Sequence, residues 1–165
     1  MLLLQSKKGH AVSLELFDDV GVEKPSGKRL AAQAKSTGDG NPVSDRSVGL
    51  WKTFSNWIDA AKAGTLPPET TNYQIYVSRD RAGEIVDSFA NANAKLEAET
   101  AIATAKKKLW GPSPGFPLKN KVADTIRDFV ENVFENESIA ANVVRAFTLK
   151  CGSGSSHEEL KTLME

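Results

Sequence analysis

The 165-residue chain has one cysteine, Cys151, and two histidines, His10 and His157. A single cysteine excludes an internal disulfide and any four-cysteine zinc site, which fits a reducing compartment and a cytoplasmic protein. Two distant histidines make no histidine-rich metal centre. An excess of charge is missing too, because 21 basic residues balance 21 acidic ones. No overall positive field therefore advertises nucleic acid, and binding it would require positive charge gathered on one face. The parts barely differ: residues 1–62 carry nine basic and seven acidic side chains, and 63–165 carry twelve and fourteen. No apolar run approaches the roughly 20 residues of a membrane span. Met1-Leu2-Leu3-Leu4 is too short for a signal-peptide core and lacks its basic lead-in. Repeats and low-complexity tracts are absent. What is present, 40% hydrophobic and 25% charged residues, is the composition of an ordinary globular domain able to bury a core.

The periodicity divides the chain into elements. Val12–Val22, VSLELFDDVGV, alternates like a strand, with Leu14 and Leu16 on one face and Glu15, Phe17 and Asp19 on the other. Lys24-Pro25-Ser26-Gly27 is turn chemistry. Arg29–Thr37 then alternates as a second strand, placing Gln33 and Lys35 on one face, and the two should form an antiparallel hairpin. Ser44 is a candidate helix cap with Asp45 in the first turn. Leu50, Phe54, Trp57 and Ala61 follow at helical spacing, and Gly64 and Pro67-Pro68 close that helix. Asn72–Ser78 reads as a third strand, parallel to another through the helical crossover. Glu84–Ala90 and Leu96–Trp110 are helical around a break at Asn91–Asn93. Gly111–Pro117, with three prolines and two glycines, is the candidate boundary. Beyond it Val122, Ile126, Phe129, Val130 and Val133 mark a helix. Asn142–Lys150 suits a second helix or a strand, the helix being preferred, and His157–Met164 a terminal helix. The expected division is a core over 1–110, a linker over 111–117 and a helical extension over 118–165. Both ends read as cut from something longer.

One constellation could carry chemistry. Glu15, Asp18 and Asp19 offer hard oxygen ligands for Mg²⁺. Gln33 adds an amide oxygen, and Lys35 a compact positive charge that could polarise a water or steady a phosphodiester under attack. If the hairpin pairs as expected, these groups converge. Acidic pairs beside turns and lysines on exposed strand faces are also common, so the spacing by itself is a weak signal.

The order ELFDDV, GKRLAAQAKS, SDRSVGLWKTFSNW and NYQIYVS, over roughly residues 12–110, resembles the endonuclease domain of bacterial CD-NTase-associated effectors. That family lies within the PD-(D/E)XK phosphodiesterase superfamily. The resemblance implies a restriction-endonuclease-like α/β sandwich with a mixed central sheet and helices on both faces, followed by a helical extension. It further implies a nuclease acting on double-stranded DNA with little sequence specificity, in anti-phage defence, dependent on Mg²⁺ with Mn²⁺ as a substitute. Asp19, or its neighbour Asp18, matches the metal-binding aspartate, with Glu15 as a further candidate. Gln33 matches the Glu/Gln position and Lys35 the lysine. A sensor or ATPase region is expected in a longer parent protein, and a homo-oligomer would suit cutting two strands. Relatives usually carry a helix before the first strand, whereas about eleven residues precede it here. A catalytically degenerate module for DNA binding or protein assembly is the alternative, and a purely structural interaction domain is a third reading.

The remaining candidates are DNA contacts. Lys52 could meet a phosphate, as could Arg79 and Arg81 after the third strand. Lys106 and Lys107, in a run with Lys108, could do the same, although cations are favoured at a helix C-terminus in any case. Trp57 lies in register with the apolar stripe and should pack in the core, while Trp51 sits at the edge of that stripe. Cys151 and His157 lack a third group to orient the histidine and make a poor nucleophilic pair.

Overall fold

A computed structural model describes residues 11–13, 20–38, 40–111 and 122–152. Its elements run β1 (Ala11–Ser13), β2 (Val20–Glu23), β3 (Arg29–Lys35), α1 (Val48–Lys62), β4 (Thr71–Val77), α2 (Glu84–Ala90), α3 (Lys95–Trp110), α4 (Asp124–Glu135), α5 (Glu137–Arg145) and β5 (Phe147–Cys151). The five strands form one mixed sheet in sequence order.

The hairpin expected around Lys24–Gly27 is β2–β3, antiparallel with Glu23 opposite Arg29. Gly27 N–H donates to the Lys24 carbonyl at 2.9 Å, and Gly27 adopts φ 78°. A proline at the second position and a left-handed glycine at the fourth make this turn favourable. Val12–Val22 is not one strand, however. β1 and β2 are separate, antiparallel neighbours, with Val12 opposite Val22.

β3, β4 and β5 are parallel, Lys35 pairing with Val77 and Val77 with Cys151. The first crossover is α1 and the second is α2 to α5. Crossovers of one hand stepping in one direction across a sheet fall on the same face. Accordingly, Ala31, Tyr73, Ile75, Val77 and Phe147 share a single core cluster with the buried residues of all five helices. Among the described residues the helices therefore form one layer, where helices on both faces were expected. β4, flanked by β3 and β5, has six buried residues of seven.

Phe54 sits in the middle of that core, its ring 5.4 Å from Trp57, 5.2 Å from Phe89 and 5.1 Å from Phe147, each close to edge-on. Such contacts add to the area these rings bury. Trp51, placed at the stripe's edge by sequence, is fully buried. It packs on Phe134 of α4 at 5.5 Å and donates its indole N–H to the Asp45 carbonyl at 2.7 Å.

The segment beyond residue 121 enters the same core. α4 packs on α1, and Ile126, Val130, Val133, Val143 and Val144 join the cluster. Residues 147–151 form a strand rather than the preferred helix, because β4 offers a free ladder edge that a strand satisfies and a helix would not. The expected linker falls almost wholly outside the described residues, as does the terminal helix at 157–164.

Candidate functional site

The β3–α1 unit positions the candidate side chains. Gln33 and Lys35 lie two residues apart on β3, on the face that α1 covers, and both are half-buried. α1 begins at Ser47, not at Ser44 as expected. Ser47 Oγ accepts from Leu50 N–H at 3.1 Å and donates to the Pro42 carbonyl at 2.6 Å. That cap brings the first turn of α1, which contains no acidic residue, against the C-terminal end of β3.

Contact there is close. A methyl group at Gly49 would lie 3.2 Å from the Pro42 carbonyl oxygen and 3.4 Å from Lys35 Nζ. The lysine thus runs across the first turn of the helix, over a residue with no side chain. One turn further on, buried Thr53 hydrogen-bonds with its hydroxyl both to the Gly49 carbonyl, at 2.8 Å, and to the side-chain amide of Gln33. Gln33 is therefore hydrogen-bonded to α1, and Lys35 lies alongside its first turn.

The expected acidic partners, Glu15, Asp18 and Asp19, lie outside the described residues. Among the described residues no group of three or more His, Cys, Asp or Glu side chains could hold a metal ion. A neutral amide oxygen beside an ammonium does not by itself make a site for a divalent cation. A complete ligand set would need carboxylates from residues 15–19.

Asp45 does not start α1. Its Oδ1 accepts from Ile85 N–H at 2.9 Å, capping α2, and its Oδ2 pairs with Lys108 Nζ at 2.6 Å. Glu84 contacts the same ammonium, and hydrogen bonds to Asp45 and then to Glu84 raise the Lys108 pKa above the ordinary lysine value. The preceding loop, the start of α2 and the end of α3 are tied together at that point.

The expected DNA contacts are dispersed. Lys52 is exposed on α1, on the side away from the core. Arg79 is exposed two residues past the end of β4, at the strand end that carries Lys35 as its neighbour. Arg81 donates to the adjacent Asp80 carbonyl at 2.9 Å. Lys106 pairs with Glu137 and lies 5.7 Å from the Trp110 ring. Lys107 is exposed, and it is Lys108 that reaches the loop before α1. Cys151 is exposed and directs its thiol at the Arg81 carbonyl, 3.5 Å away. His157 lies outside the described residues.

Sequence reasoning missed Thr53, Gly49 and Ser47. A signal for Thr53 was there, since it is a polar residue next to Phe54 inside the apolar stripe of a helix. Gly49 was a second, being a poor helix former in a first turn and hence a mark of close approach. Comparison with family models, with curated proteins and with solved structures returns no match. No helix among the described residues is long and apolar enough to cross a membrane.

Proposed function

We propose that the chain is a metal-dependent endonuclease that hydrolyses phosphodiester bonds in double-stranded DNA with little sequence specificity, in a restriction-endonuclease-like α/β core. The reading rests on the resemblance of its motifs to the CD-NTase-associated effector nucleases, and anti-phage defence comes with it. The observation that supports it furthest is that Gln33 and Lys35 share one sheet face beside the start of α1. A glutamine and a lysine two residues apart on an exposed sheet would normally be solvated and mobile. Here both are half-buried, Gln33 is hydrogen-bonded to Thr53 of that helix, and Lys35 runs past Gly49.

In this reading Gln33 supplies an amide oxygen to the cation, and Asp19, with Asp18 or Glu15, supplies the carboxylates. Mg²⁺, or Mn²⁺ in its place, would act as a Lewis acid on the phosphoryl oxygens and lower the pKa of a bound water. Lys35 places a positive charge beside that position, where it can neutralise charge developing on the phosphate. The N-terminal end of α1 adds the positive end of a helix dipole, and with no acidic residue in the first turn that field is not cancelled locally. Lys52 and Arg79 are the positioning contacts to the DNA backbone, with Lys107 a weaker candidate at the end of α3. No motif for base readout is visible in the sequence, in keeping with low specificity.

Supercoiled plasmid tests this directly. Incubated with the chain and Mg²⁺, it should be nicked and then degraded, and a chelator should abolish both. Plasmid that is retarded on a gel but never cut would favour the degenerate DNA-binding module.

A further inference from the structure

The open face of α3 is unlike an ordinary solvated helix surface. Leu96, Thr100, Ala103 and Lys107 are all exposed and recur at intervals of four, three and four residues, the spacing of a coiled-coil seam. Leu96 is 74% exposed, and a leucine exposed on its own would be ordinary. This one stands at the end of a seam whose middle is small. Thr100 Oγ1 donates to the Leu96 carbonyl at 2.7 Å, and Thr104 Oγ1 to the Thr100 carbonyl at 2.8 Å. Neither hydroxyl has a proton left for water. Beside them Ser88, Ala92, Leu96, Thr100, Ala101 and Thr104 line a groove of about 420 Å³ along the end of α2 and the start of α3.

The charges along this face decide what fits it. Glu97 is spent on the start of the helix, where its carboxylate accepts from the Asn93 and Ala94 N–H groups, both at 3.0 Å. Glu99 is left on the surface, facing only exposed Lys95 at 3.8 Å. At the other end Lys106 is tied to Glu137, and Lys108 to Asp45 and Glu84, while Lys107 has no ion pair among the described residues. We propose that α3 is the pairing surface for a second copy of this chain, with the two helices antiparallel about a two-fold axis between Thr100 and Ala103. That register sets Leu96 of one copy over Thr104 and the aliphatic stem of Lys107 in the other, and brings Glu99 within a turn of the same lysine. The short side chains at the centre let the two helices approach closely. A parallel pair would instead set Lys107 against Lys107 and Glu99 against Glu99, which like charges disfavour. None of this requires the nuclease reading.

Sedimentation equilibrium on the whole chain without DNA tests this. One helix face is smaller than the roughly 800 Å² per partner of a standard interface, so the pairing is weak and the concentration series must reach about 0.5 mM. Wild type should pass from monomer to dimer along that series. Leu96→Lys sets a charge against the other copy's Lys107, and Lys107→Glu faces Glu99 with a like charge. Each should raise the dissociation constant about tenfold or more, because a two-fold pair counts every substitution twice. Glu99→Lys combined with Lys107→Glu exchanges the charges and should return the constant to within about threefold of wild type. All three positions are exposed, so these variants should keep the wild-type melting transition. A wild-type chain that stays monomeric at the highest concentration overturns the proposal. So does a dimer indifferent to Leu96→Lys and Lys107→Glu, or one that the charge exchange does not recover. Lys107→Glu that loses retention of plasmid while sedimenting as wild type also overturns it, and assigns that lysine to DNA instead.

Discussion

At the scale of single residues, the meaning of β3 lies in what α1 does to it. Alternation places Gln33 and Lys35 on one face, and that much was legible in RLAAQAKS. The covering helix was legible only as an apolar stripe, and the residues that touch the pair, Gly49 and Thr53, belong to its small and polar positions. Gly49 offers a clean test. Alanine is favoured over glycine inside a helix by about 0.8–1.0 kcal/mol, yet its methyl would stand 3.2 Å from the Pro42 carbonyl and 3.4 Å from Lys35 Nζ. The tight approach to the Pro42 carbonyl opposes that gain, whereas 3.4 Å from the end of a lysine is an ordinary contact. Gly49→Ala should therefore melt within about 1 kcal/mol of wild type, and a larger loss would show that the β3–α1 approach cannot relax.

At the scale of elements, strands and helices with strong periodicity were found where the sequence put them, including the β2–β3 turn, α1, β4 and the break between α2 and α3. The misreadings have local causes. Ser44 and Ser47 are equally good caps, and only the Pro42 carbonyl, waiting 2.6 Å from Ser47 Oγ, decides between them. Residues 147–151 became β5 because the edge of β4 was open, a tertiary fact that propensity does not carry. The sequence places Asp45 in the first turn of α1, but its carboxylate's partners, Ile85 N–H and Lys108, lie 40 or more positions away. The same junction explains Gly83, which starts α2 where an added methyl would come 2.5 Å from the Val43 carbonyl. Gly83→Ala should therefore cost about 1–3 kcal/mol in a urea melt. Gly38→Ala, facing only Ser36 Oγ at 3.7 Å, should stay within about 0.5 kcal/mol. Equal costs would mean that the α2 junction is not closely packed.

At the scale of the whole molecule, the Pro/Gly segment suggested a core followed by an extension. Residues from Ala31 to Phe147 share one cluster, with Phe54 touching rings on both sides of that segment. Composition punctuates a chain without saying which faces meet across the punctuation. Unfolding should accordingly be a single cooperative transition, and Phe54→Ala should lower it as a whole by about 3–5 kcal/mol. Two separate transitions, with only one displaced, would contradict a common core. Function stands differently from fold. The motif order is the ground for the proposed nuclease chemistry, and the described residues show Gln33 hydrogen-bonded to Thr53 with Lys35 beside Gly49. The carboxylates that would complete the site, Glu15, Asp18 and Asp19, lie outside them. The most direct measurement is a time course of supercoiled plasmid with Mg²⁺, comparing wild type with Lys35→Ala after both are shown to have the same melting transition. Wild type should convert the plasmid to nicked and then linear or degraded DNA, while Lys35→Ala leaves it supercoiled. Cleavage by Lys35→Ala at the wild-type rate would contradict the assignment of the site to β3 and the start of α1.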